Sequence, residues 1–240
     1  MKIALIGYGK MGKEVEKAAI RQGHEILLKI DVGNSADLSP EKLSRADVAI
    51  EFTTPGTAPG NILACFEAGV PVIVGTTGWY DRFDELAGKC GEMEGTLFHA
   101  TNFSIGVAVF FHVNKVLAGI MNDRPDYDVS IEEIHHTQKL DAPSGTAITA
   151  AEGILEQVTR KTSWENGTVS TSGDKLLIRS LREDLVPGTH TVTYQSAIDS
   201  LELRHTAFNR AGFASGSVTA AEWVKDRKGV FTMKDMLRFN

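Results

Sequence analysis

The densest run of reactive side chains lies between Glu133 and Ala147, which reads Glu-Ile-His-His-Thr-Gln-Lys-Leu-Asp-Ala-Pro-Ser-Gly-Thr-Ala. His135, His136 and Lys139 sit together at the end of a segment that alternates like a strand. An imidazole near its unperturbed pKa can give or take a proton at neutral pH. Lys139 adds a compact positive charge. Ser144, Gly145 and Thr146 then open a helical pattern, and a helix start offers free N–H groups and a positive dipole end to a carboxylate. Adjacent residues on a strand face opposite ways, so one histidine could be structural, and on these residues alone the catalytic and structural readings stand about even. No further His, Cys or acid spacing supports a metal, and none is expected.

A second cluster opens the chain. Gly7-Tyr8-Gly9-Lys10-Met11-Gly12 fits GxGxxG after the short apolar run Ile3–Ile6 and before a helical pattern from Lys10 to Gln22. Gly7 permits the tight turn, Gly9 lets backbone approach a pyrophosphate, and Gly12 lets the helix pack close to the strand. Asp31, ending the second apolar run, stands where an acid would bond ribose hydroxyls. A carboxylate repels a 2′-phosphate and no arginine follows it, so NADH is favoured over NADPH, with Lys10 and Lys29 near enough in sequence to soften the preference. Two further turns, Gly75-Thr76-Thr77-Gly78 and Ala100-Thr101-Asn102-Phe103-Ser104, follow strand patterns and are placed to hold the nicotinamide end. Caps and turns alone would also account for each. Together the two clusters suit a small dianionic acid beside a hydride donor.

The elements that must position these groups read as two kinds of unit. Apolar runs at 3–6, 25–30, 47–52, 71–74 and 97–99 alternate with helical segments, among them 57–68, which means βαβ units and a parallel sheet. From about residue 104 the character changes. A mostly apolar helix over 104–121, with Ser104 a plausible N-cap, precedes a strand at 127–134 and a helix at 146–158. A polar loop is expected at 162–174, then strands at 175–181, 189–196 and 200–207 and a helix at 211–225. Leu201, Leu203 and His205 alternate with Glu202, Arg204 and Thr206. The fold class expected is α/β: an N-terminal Rossmann-like parallel-sheet domain (1–103 and 209–240), and an α+β domain for substrate binding and oligomerisation with an open mixed sheet (104–208).

Bulk properties exclude other classes. The 240 residues carry a formal net charge of -6, a poor match to nucleic acid or an anionic membrane. Cys65 and Cys90 are too few for a disulfide framework and suit core filling. No leader pattern and no run of about 18 apolar residues is apparent, so a soluble cytoplasmic protein is expected.

The segment Glu133–Ala147 closely resembles the signature E-x-H-H-x-x-K-x-D-A-P-S-G-T-A of the dihydrodipicolinate reductase family. The resemblance extends over nearly the whole chain, through GxGxxG, Ala49–Pro55 (which includes Phe52), Gly75–Gly78, Asn102–Gly106, Gly188–Val192, and His205–Arg210 followed by Phe213-Ala214. Glu51 departs from the Asp of many members, and the segments 34–43 and 162–174 are short. The resemblance implies NAD(P)H-dependent reduction of 4-hydroxy-tetrahydrodipicolinate to tetrahydrodipicolinate, a step of diaminopimelate and lysine biosynthesis, by a homotetramer. It implies His135 as proton donor, Lys139 as second donor near a substrate carboxylate, and substrate contacts from His136, Ser144, Gly145 and Thr146. Cofactor contacts implied are Gly7 to Gly12, Asp31, Phe52, Gly75, Thr76, Thr77, Ala100, Thr101, Asn102 and Phe103. His205 and Arg210 stay outside the catalytic set; Arg210 could equally serve as a hinge.

Two rival readings differ in class. Another NAD(P)-dependent dehydrogenase, acting on a semialdehyde or sugar, would share the first domain; one of the aldehyde type would need a cysteine nucleophile, and both cysteines lie inside helical patterns. A non-catalytic module sensing NAD(P)H would not need two histidines, a lysine and an anion-binding turn together. Fold cannot choose among these; the site does.

Overall fold

The computed structural model describes residues 1–209 and 211–239. Its strands are β1 (Lys2–Ile6), β2 (Glu25–Ile30), β3 (Val48–Glu51), β4 (Val72–Val74), β5 (Thr96–His99), β6 (Asp128–His135), β7 (Ser163–Asn166), β8 (Lys175–Arg182), β9 (Gly188–Gln195), β10 (Ser200–Ala207) and β11 (Gly229–Phe231). The helices are α1 (Lys10–Arg21), α2 (Pro40–Leu43), α3 (Ala58–Glu67), α4 (Phe83–Glu92), α5 (Ile105–Asn122), α6 (Gly145–Leu155), α7 (Ala211–Val224) and α8 (Met233–Leu237). The chain forms two compact units, Met1–Ile105 with Ala211–Asn240, and Gly106–Arg210.

In the first unit six strands pair in the order β11-β5-β4-β3-β1-β2, all parallel. β3 and β4 are buried at every position, as strands covered by crossover helices on both faces must be. The chain moves one way from β1 to β2 and the other way from β1 to β3. At such a switch point the loops diverge and leave a crevice at the carboxyl ends of the strands. Gly7–Gly9, Asp31, Phe52, Gly75–Thr77 and Ala100–Phe103 all leave strands at that edge.

The C-terminal segment returns to this unit. Helix α7 lies so close to the turn after β5 that a Cβ on Gly216 would fall 1.8 Å from the Phe103 carbonyl oxygen. Gly216→Ala must displace helix or turn, at a cost of about 3 kcal/mol. A fall in Tm of roughly 6–12 °C is expected on thermal unfolding of a chain this long; an unchanged Tm would contradict that seating.

In the second unit the sheet is mixed, in the order β10-β9-β6-β8-β7, with β6–β8 and β7–β8 parallel and β6–β9 and β9–β10 antiparallel. Phe110, Ala118 and Met121 of α5 and Ala147, Ala150, Ala151 and Ile154 of α6 pack on its inner face against Val129, Ile131, Leu176, Ile178, Val192 and Tyr194. Asn114 Nδ2 donates to the Ala150 carbonyl at 2.9 Å and ties the helices together.

Two sequence expectations change. The loop expected over 162–174 contains β7, a polar edge strand in parallel register with β8. Its groups are satisfied locally, as Lys175 Nζ donates to Ser163 Oγ at 2.6 Å and the Thr171 N–H to Glu165 at 2.7 Å, so it carries no apolar alternation to read. Second, α5 is 18 residues long with mean hydropathy 1.4, enough by length and composition to cross a bilayer. Its Phe110, Ala118 and Met121 belong to the core of its unit, and its Lys115 pairs with Glu156.

Candidate functional site

Strand β6 alternates with its odd-numbered residues buried, from Val129 to His135. Cross-strand register sorts this inner face into rows. Leu203, Val192, Ile131 and Ile178 form an apolar row, and the next row toward the carboxyl end of β6 is His205, His190, Glu133 and Ser180. His135 comes next, opposite Arg182. The apolar core therefore turns polar over two rows, next to the start of α6.

Glu133 is fully buried at the centre of this layer. Both of its oxygens accept from the Ser144 N–H at 3.1 Å. His135 Nδ1 lies 3.3 Å from Oε2, an Arg182 guanidinium nitrogen 3.6 Å from Oε1, and His190 Nε2 3.8 Å from Oε2. Burial alone would raise the carboxyl's pKa, but the side chains of His135, Ser144 and Ser180 and the Ser144 N–H outweigh it and bring the pKa to about 2. The Ser144 side chain caps α6 by accepting from the Ala147 N–H at 3.2 Å and lies 3.1 Å from His190 Nε2. Burial, and then the neighbouring His135, push His190 down to about 4.

These two shifts set an acid limit on stability. Free histidine takes up its proton near 6.5, folded His190 only near 4, so between those values the unfolded chain binds more protons and stability falls as pH falls. Glu133, lowered from 4.5 to about 2, contributes stability that is present above 4.5 and lost below it. Tm is expected to drop from pH 7 to pH 5, and His190→Gln to flatten that drop; equal Tm values at both pH values in the unmutated protein would contradict a buried neutral His190.

Past β6 the chain folds back on itself. Arg182 donates from Nε to the Lys139 carbonyl at 3.3 Å and from its terminal nitrogen to the Asp141 carbonyl at 2.6 Å, holding the loop. Lys139 Nζ donates to both Asp141 carboxylate oxygens at 2.8 Å, and this pairing lowers the Asp141 pKa. His136, half-buried, lines a cleft of about 670 Å³ with Thr137, Asp184, Val186, Pro187 and Phe208 among others. Gly145 is exposed at the first turn of α6 and Thr146 half-buried beside it. The second unit thus brings His135, His136, Lys139, Ser144, Gly145 and Thr146 around the end of β6 and the start of α6. Sequence reasoning missed Glu133, His190 and Arg182 as partners. His205 joins the same polar row, half-buried, its pKa lowered by burial; Arg210 lies outside the described residues. Glu133, His135 and His190 also bring ligand-type atoms within 4.8 Å of one another, though the Ser144 N–H and the Arg182 charge already occupy the carboxylate.

The first unit presents a dinucleotide-type loop. Gly7 has φ +91°, and a Cβ there would meet the Phe52 carbonyl at 2.0 Å. On Gly12 a Cβ would sit 2.2 Å from the Gly7 carbonyl, whereas Gly9 faces open space. The N-terminus of α1 has no side-chain cap, so its first N–H groups remain for an anion. Asp31 is exposed and accepts from the Val32 N–H at 2.9 Å. Lys29 is committed elsewhere, paired with Glu16 at 2.6 Å and set 4.9 Å from the Tyr8 ring centre. Thr76 Oγ1 accepts from the Thr53 N–H at 2.7 Å and joins the turns after β3 and β4. The Phe52 ring covers Gly75, where a Cβ would lie 2.0 Å away. Thr77 and Thr101 are exposed, Ala100 and Asn102 half-buried, and the Phe103 ring is buried beside Phe98 and Phe52. Cys65 and Cys90 are buried free thiols with pKa values raised by burial, unlike a reactive nucleophile.

Comparison with known proteins covers both units. The family model described as dihydrodipicolinate reductase, N-terminus, matches residues 1–103, and its C-terminus counterpart matches residues 106–237. Over 238 residues the chain is 48% identical to the 4-hydroxy-tetrahydrodipicolinate reductase of Christiangramia forsetii, covering 99% of this chain and 98% of that one. Against the protein of the same name from Neisseria meningitidis serogroup C it is 32% identical over 231 residues, covering 94% and 84%. Among solved structures, the dipicolinate-bound dihydrodipicolinate reductase from Paenisporosarcina sp. TG-14 superposes with a TM-score of 0.82 at 24% identity over 99% of each chain, a likeness of fold.

Proposed function

This chain belongs to the dihydrodipicolinate reductase family of oxidoreductases, and we propose that it reduces 4-hydroxy-tetrahydrodipicolinate to tetrahydrodipicolinate with NADH, as a cytoplasmic homotetramer in diaminopimelate and lysine biosynthesis. The observation that carries the reading is the convergence of His135, Lys139 and the start of α6 in one corner of the second unit. A dicarboxylate fits that corner chemically: one carboxylate on the Gly145 and Thr146 N–H groups, the other on Lys139, with His136 beside them. The dipicolinate seen on the Paenisporosarcina protein is a ligand of this class.

The nicotinamide dinucleotide, when bound, supplies a hydride. Its pyrophosphate fits Gly7 to Gly12, where Gly9 and the uncapped start of α1 leave room and donors. Thr76, Thr77, Ala100, Thr101 and Asn102 would flank the nicotinamide end, and Phe52 and Phe103 support those turns from beneath. The 4-hydroxyl leaves as water to give a conjugated ring; hydride addition to that ring leaves an enamine that needs a proton, and His135 is the donor we assign. Lys139 holds a carboxylate and stands as the second donor. Asp141 pairs with the lysine, so an incoming carboxylate exchanges one anion for another. The sheet face opposite α5 and α6, where Ile134 and Leu181 pair while only half-buried, is the surface we assign to tetramer contacts.

Asp31 sets the cofactor preference in this reading. Its carboxylate accepts from a 2′-hydroxyl and repels a 2′-phosphate, and Lys29 is held by Glu16. Initial rates with each cofactor, on substrate made in situ from pyruvate and aspartate semialdehyde by the preceding synthase, are expected to give the higher kcat/KM with NADH. Asp31→Ala should narrow the ratio by about tenfold, the worth of about 1.4 kcal/mol. A large NADPH preference in the unmutated protein would overturn the role of Asp31, and no oxidation of either cofactor would overturn the function.

A further inference from the structure

Glu133 reaches no solvent and takes no part in the proposed reaction, yet its carboxylate joins the ends of three elements. It faces His135 Nδ1 at the end of β6, the Ser144 N–H at the start of α6 and Arg182 at the end of β8. A backbone N–H at a helix start needs one neutral acceptor; it does not need a buried, permanently ionised carboxylate. The second demand on this group is His135. Its Nδ1 is buried with no aligned hydrogen-bond acceptor, and the carboxylate oxygen Oε2 of Glu133 lies 3.3 Å away. Catalytic hydrogen bonds commonly stand slightly long before ligand binds. On its other edge the ring is confined by Gly188, where even a Cβ would come within 3.0 Å of Nε2.

An imidazole whose Nδ1 faces a carboxylate keeps its proton on Nδ1 when neutral, which leaves Nε2 as the nitrogen that exchanges protons with a ligand. We propose that Glu133 is the positioning residue for His135: it holds Nδ1–H and the ring orientation, so that Nε2 is the nitrogen that takes up a proton and, as the imidazolium, delivers it to substrate. Through the Ser144 N–H, the same carboxylate sets the spacing between that ring and the first turn of α6. This rests on the reading of His135 as proton donor.

The test combines nitrogen NMR of isotope-labelled histidine with steady-state kinetics on the full chain. At a pH that deprotonates free imidazole, the His135 signals, identified by their loss in His135→Gln, are expected to show the Nδ1–H form. In Glu133→Gln they should move toward the Nε2–H form, kcat should fall about 10²-fold as for loss of an orienting partner, and the KM for NADH should hold. A merely structural Glu133 would change stability without changing the tautomer. An Nε2–H form in the unmutated protein overturns the proposal, and that spectrum decides the matter if Glu133→Gln fails to fold. Full activity in Glu133→Gln alongside an inactive His135→Gln also overturns it, while leaving the donor assignment intact. Full activity in His135→Gln removes the donor assignment and this proposal together.

Discussion

His135→Gln is expected to lower kcat by about 10²–10⁴-fold, the usual worth of a positioned general acid, and to leave the KM for substrate and cofactor within a few-fold. Glutamine keeps most of the volume and a hydrogen-bonding end in a space that Gly188 and Glu133 confine, so the corner should stay intact. What it cannot do is carry a proton. The interaction lost operates in the transition state and not in ground-state binding, which is why the effect falls on kcat. Thermal unfolding run alongside separates lost chemistry from lost structure. Unchanged turnover in a folded variant would show that the proton comes from elsewhere, with Lys139 the next donor to test.

Lys139→Ala is expected to damage both parameters. As a holder of substrate carboxylate the lysine makes a charge-assisted bond worth about 1.5–3 kcal/mol, so KM should rise roughly 10–100-fold. As second donor it should also lower kcat, by about 10²-fold. The variant frees Asp141, whose carboxylate then stands unpaired near the incoming dianion and adds repulsion. Asp141→Asn tests the other side of that exchange, because it releases Lys139 and should lower KM if the lysine binds substrate. A Lys139→Ala variant with unchanged KM would place the substrate carboxylates elsewhere.

What could be read in the sequence was what lies close together in it. GxGxxG carries its own geometry, since Gly7, Gly9 and Gly12 answer to contacts inside one turn and the first turn of α1. The segment 133–147 likewise holds the end of a strand, the loop and the cap of α6 in consecutive residues. What could not be read depends on register across long connections. His190 reaches Glu133 because β9 pairs antiparallel with β6, and Arg182 reaches the Lys139 loop because β8 pairs parallel with it. Neither register leaves a local signature. Read alone, His190 is a lone histidine in a threonine-rich strand.

Short or polar elements were hidden for a different reason. β11 spans three residues and is held by pairing to β5, and β7 satisfies its polar groups with its own neighbours. Lys29 shows the limit of sequence proximity: near Asp31 in the chain, it pairs with Glu16 and stands over the Tyr8 ring in the fold.

The most direct test of the central claim follows the hydride itself. The protein is supplied with NADH deuterated on the transferable position and with the in-situ product of the preceding synthase, and the cyclic dicarboxylate is then analysed by mass spectrometry. Deuterium in tetrahydrodipicolinate, formed only when the synthase is present and strongly reduced in His135→Gln, is the result this account predicts. Bound NADH with no deuterium in the ring, from protein shown to be folded, would contradict it and favour a nucleotide-sensing module.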